Sequence, residues 1–134
     1  MTTPIGPLHA LRVSAAALMC ASAALCAPAH AHALLAKSEP ARKATLAHPP
    51  SEVRLWFNER LEPAFSSLRV LDAEGRPVTG EPARVAKDNP KHMTLALPPL
   101  PPGTYSVHYQ VLSVDGHTVK ASFQFTVKEP RAPR

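Results

Sequence analysis

Asp115-Gly116-His117 sets a carboxylate and an imidazole two positions apart across a glycine. In an extended or gently turned segment, residues i and i+2 project to the same side, so an oxygen and a nitrogen donor would point together. A second stretch with donor chemistry is Ala29-His30-Ala31-His32. Ala29 and Ala31 are the small residues that a signal peptidase reads, so a cut after Ala31 would make His32 a new N-terminus. The free α-amine and imidazole of such a residue can close a chelate ring on one metal ion without help from the fold.

His32, Asp115 and His117 would together offer three nitrogens and one oxygen. That donor set suits a tetragonal Cu(II) site, since planar nitrogen and oxygen ligands favour Cu(II) and divalent affinity peaks there. Zn²⁺ would take the same atoms in a tetrahedral arrangement with lower affinity. Each half also has an ordinary reading: Asp-Gly is a hairpin turn signal, and a terminal histidine is a solvated end. Cleavage after Ala29 would instead give His30-Ala31-His32, whose amine, third-position imidazole and backbone amides can wrap Cu(II) without Asp115 or His117.

The elements that must position these groups are short strands. The chain has 134 residues with 16 prolines and few aromatics. Residues 1–12 hold Arg12 and no acid, and Val13 to Ala27 is a run of small and apolar residues too short to span a bilayer comfortably. Residues 1–31 therefore read as a cleaved signal peptide, and residues 32–128 as one small β domain. Residues 129–134 read as a disordered tail.

Both cysteines, Cys20 and Cys26, fall in the leader, which excludes disulfides and thiolate ligands from the mature domain. Met19 and Leu25 precede them, so a lipid anchor is not expected, nor is stable membrane insertion after processing. Net charge is +5 for the whole chain, with bases and acids interspersed. Nucleic acid is thus not expected as a partner, because phosphate backbones select clustered cations interleaved with aromatics. The sequence has no nucleophile elbow and no glycine-rich phosphate loop.

Ala33 to Ser38 reads as a first strand. Val53, Leu55 and Phe57 alternate with polar or outward residues, as do Met93, Leu95 and Leu97. Leu68, Val70 and Leu71 form a strand that Asp72–Arg76 turns back toward Val78, with at most a short strand near Val85. Two long strands follow, with Tyr105, Val107, Tyr109 and Val111 on one face of the first and Phe123, Phe125 and Val127 on one face of the second. Asp115 and His117 sit at the tip between them. Seven or so short strands without a helical period mean an all-β sandwich or barrel. His48, His92 and His108 have no partner at ligand spacing, and Trp56 covers a barrel end or lies near the metal.

His32 to Ala41, Val53-Arg54-Leu55-Trp56-Phe57-Asn58-Glu59, Pro102 to Tyr109, Val111 to His117 and Phe123 to Val127 carry a resemblance. In that order they resemble the CopC-type periplasmic copper-resistance proteins across essentially the whole mature domain. The resemblance implies a seven-stranded Greek-key β-barrel or sandwich, cupredoxin-like (Ig-like) in architecture. It implies one Cu(II) per chain, held by His32 through amine and imidazole, by Asp115 and by His117. Glu59 matches a glutamate near the copper in some relatives. Residues 72–91 contain no methionine, so the methionine-rich Cu(I) site of some relatives is not expected here.

The implied function is copper sequestration or trafficking in the periplasm, and copper resistance, with a CopD-type inner-membrane copper transporter as partner. The rival is a histidine-brace copper monooxygenase. Asp115 would fill the coordination position such an enzyme keeps open, and the small domain offers little substrate platform.

Overall fold

The computed structural model describes residues 33–78 and 80–133. His32 and the expected signal peptide lie outside the described residues. The strands are β1 (Leu35–Glu39), β2 (Thr45–Leu46), β3 (Glu52–Phe57), β4 (Ser67–Leu71), β5 (Arg84–Val85), β6 (His92–Ala96), β7 (Gly103–Leu112) and β8 (Thr118–Val127). One 3-10 turn, Pro63–Phe65, is the only helical element among the described residues. The strands form two four-stranded sheets, ordered β1-β3-β6-β5 and β2-β8-β7-β4.

Alternation makes the strands and then the core. Val53, Leu55 and Phe57 of β3 and Met93 and Leu95 of β6 are buried, facing Leu68 and Val70 of β4, Tyr105 to Val111 of β7 and Phe123 to Val127 of β8. This is the two-layer solution for sheets that each carry one apolar face. Tyr105 stacks on Phe125 at 5.5 Å between ring centroids, and Phe57 meets Tyr109 edge-on at the same separation. Met93 is a core residue, 1% exposed.

Two outcomes differ from the sequence reading. The described residues form eight strands rather than seven, because Thr45-Leu46 adds a parallel edge strand along Thr126-Val127 of β8. Two residues are too few to show any period. Val78 returns only as far as a bridge, Leu71 to Pro77, although the turn itself forms and Val78 N donates to Val70 O at 2.8 Å. Residues 128–133 follow β8 without strand structure and are exposed.

Because Phe125 is 1% exposed on the core face of β8, Phe125→Ala is expected to cost about 3–5 kcal/mol in urea denaturation. Gln124→Ala, on the outer face one residue away, should stay within about 0.5 kcal/mol of wild type.

Candidate metal centre

β7 and β8 pair antiparallel over ten residues, from Gly103–Val127 to Leu112–Thr118. The chain must then reverse in five residues, Ser113 to His117. Ser113 N donates to His117 O at 3.0 Å, and Gly116 N to Ser113 O at 2.9 Å. Gly116 sits at φ +93, where an L side chain would be strained even though the space beside it is open.

Ser113 is the only buried polar residue among those described, at 1% exposure. Its hydroxyl donates to Asp115 Oδ1 and lies 3.2 Å from His117 O. His117 N donates to the same Asp115 oxygen at 3.3 Å. The other oxygen, Oδ2, lies 3.2 Å from His117 Nδ1. The Ser113 hydroxyl, ahead of the contacts from His117, holds the Asp115 carboxyl below its ordinary range, while partial desolvation opposes them. Asp115 is therefore an anion at neutral pH, beside an imidazole.

Both side chains reach solvent, at 34% exposure for Asp115 and 38% for His117. Two cis ligands of one metal ion, each bonded at about 2.0–2.1 Å, stand about 2.8–3.4 Å apart. The Asp115–His117 separation falls in that window.

The neighbouring backbone straps this loop to the start of the domain. Val114 N donates to Arg60 O at 3.0 Å, and Glu62 N to Leu112 O at 2.8 Å. Two residues before Arg60, Asn58 grips Leu34 twice: Leu34 N donates to Asn58 Oδ1 at 2.6 Å, and Asn58 N donates to Leu34 O at 3.1 Å. Ala33 is fully buried. The first strand therefore begins at the same end of the sandwich as the loop.

Of the expected site residues, the structure brings Asp115 and His117 together. Glu59 is half-buried on the strap, yet among the described residues no three His, Cys, Asp or Glu side chains form a group able to hold a metal. His32 lies outside the described residues. Trp56 is on the outer face of the first sheet, stacked on His92 at 4.6 Å with Lys37 Nζ 4.6 Å from its ring centre. His108 is half-buried on the outer face of β7, and His48 is exposed. Sequence reasoning missed Ser113 as the residue that orients Asp115. Its signal was the Ser-x-Asp spacing, at which a hydroxyl can reach a side chain two residues on.

Two packed sheets, antiparallel except for the β2 edge, with an acid–imidazole pair on an end loop define a small β-sandwich with a surface pair of metal-ligand type. The chain belongs to the CopC domain family, whose match spans residues 35–128. Copper resistance protein C of Xanthomonas campestris pv. juglandis is 31% identical over 122 residues, covering 87% of this chain and 95% of the relative. Copper transport protein CutJ of Bacillus subtilis (strain 168) is 33% identical over 98 residues, covering 72% of this chain and 18% of the relative. The solved structure of CopC from Methylosinus trichosporium OB3b matches with a TM-score of 0.70 at 38% identity, covering 77% of this chain and 100% of that one. These relatives are named for copper resistance and transport, not for a catalysed reaction.

Removing the Ser113 hydroxyl withdraws the strongest stabilisation of the charged carboxylate. Ser113→Ala should raise the pKa of Asp115 toward the ordinary value, as read by NMR titration of its side-chain carboxyl carbon. An unchanged titration would contradict this account of the loop.

Proposed function

We propose that this chain is a periplasmic Cu(II)-binding protein that sequesters or carries copper in copper resistance, one ion per chain. His32 would supply its amine and imidazole nitrogens, Asp115 an oxygen and His117 the second imidazole. The observation that carries this reading is the ionised Asp115 at 3.2 Å from His117 on an exposed loop, strapped to the segment that also grips Leu34. Ala33 is buried and Leu34 is held by Asn58, and His32 is the residue that precedes them in the sequence. A processed amine would then begin at the end of the sandwich that carries the loop.

Ligands on a terminus and a loop make a site that loads and releases an ion without opening the core. A CopD-type inner-membrane copper transporter is the recipient that family analogy suggests. No helix of the described residues is long and apolar enough to cross a membrane. The oxidoreductase alternative is not carried forward, since the relatives are named for resistance and transport.

Cu(II) titration of protein beginning at His32 should give one tight site. His117→Ala, or one extra residue before His32, should each weaken it by at least about tenfold, on the order of 1.4 kcal/mol. Undiminished binding by the extended form would overturn the ligand assignment.

Binding requires deprotonated imidazoles and amine, so affinity should fall as pH drops through about 6–7, where imidazoles ordinarily take up protons. Asp115, held below the ordinary carboxylate range, stays ionised throughout that interval and adds nothing to the fall. Competition titrations from about pH 8 down to pH 5 read this directly, and a flat profile across the imidazole range would exclude histidine ligation.

A further inference from the structure

The outer faces of the two sheets differ in charge. On the first sheet and the segment leading into β5, cations are matched: Lys37 pairs with Glu39, Arg54 with Glu52, and Arg84 with Glu81. The four strands of the second sheet contain no aspartate or glutamate at all. Their outer face nevertheless carries Arg69, His108 and Lys120, and among the described residues neither Arg69 nor Lys120 has an ion-pair partner.

Register draws these groups into one patch. Arg69 pairs with His108, which pairs with Ser122, forming one row across β4, β7 and β8. Ser67, Gln110 and Lys120 form the next row. The six side chains line a concavity of about 660 Å³. Two cations thus stand two strands and one row apart, about 12 Å between their backbone positions, with hydroxyl and amide donors between them. A single carboxylate or chloride would engage one side of such a span. A ligand with several phosphate oxygens would reach both, with the Arg69 fork suited to two oxygens of one phosphoryl group and Lys120 acting as a point charge.

We propose that this acid-free face of the second sheet is a binding site for phosphate-type oxyanions, held between Arg69 and Lys120 over His108 and Gln110. It lies on the sheet face, whereas the metal loop lies at the end of the sandwich, and it does not depend on the copper reading. Free diphosphate and the headgroups of anionic phospholipids share this chemistry.

The test uses metal-free processed protein, so that no copper chelate of the ligand forms. One arm titrates inorganic pyrophosphate and follows backbone amide shifts by NMR. The other measures co-sedimentation with phosphatidylglycerol vesicles against phosphatidylcholine vesicles. In at least one arm binding should saturate, with pyrophosphate shifts concentrated at residues 67–69, 108–110 and 120–122. Arg69→Gln/Lys120→Gln should weaken it by about tenfold or more, two charge-assisted contacts being lost. Lys87→Gln/Lys128→Gln removes the same charge elsewhere and should leave it within about twofold, as expected when no direct contact is lost.

Both double variants change exposed side chains, and equal melting temperatures would verify their folding. Pyrophosphate binding assigns the site to free phosphates, and vesicle binding alone assigns it to lipid headgroups. No binding in either arm, or equal weakening by the two variants, would overturn the proposal.

Discussion

The ten-pair ladder between β7 and β8 is the constraint from which the candidate site follows. Its register is held by alternate burial: Tyr105, Val107, Tyr109 and Val111 on one strand, and Phe123, Phe125 and Val127 on the other, all face the core. A slip of one residue would turn every one of these outward, so burial fixes the pairing. Fixed pairing leaves five residues to turn the corner. Within them the buried Ser113 ties the aspartate and the histidine carbonyl into one small network. The acid–imidazole pair is thus held in place by a hydrophobic ladder that lies beneath it in the core.

The strap of residues 58–62 does for the sandwich what the ladder does for the loop. It leaves β3 in the first sheet, exchanges hydrogen bonds with Leu34 and Val114, and leads on to β4 in the second. The segments it connects lie far apart in sequence, and neither sheet alone brings them near each other. Asn58 and Arg60 contribute through a side-chain oxygen and a backbone carbonyl, at positions where a polar turn was all the sequence offered.

What was legible in the sequence is what depends on local alternation. The inward faces of β3, β6, β7 and β8 could be read residue by residue, and so could the outward placement of His108. The Asp-Gly-His hairpin tip was legible because turn chemistry is local. The parallel β2 was not, since two residues show no period and its reason for existing is the edge of β8. Trp56 could be assigned to a face but not to its neighbours, because its stacking on His92 depends on which strand pairs with β3. Ser113 went unread for a related reason. A serine in a loop is ordinary until burial removes water as its alternative partner.

The edge strands of the sandwich carry a consequence for how copies of it meet. One edge of each sheet is a two-residue strand, β5 or β2. Two residues offer too few free amide and carbonyl groups for a neighbouring molecule to extend the ladder. Those two edges therefore give a neighbouring copy of this domain little backbone to pair with.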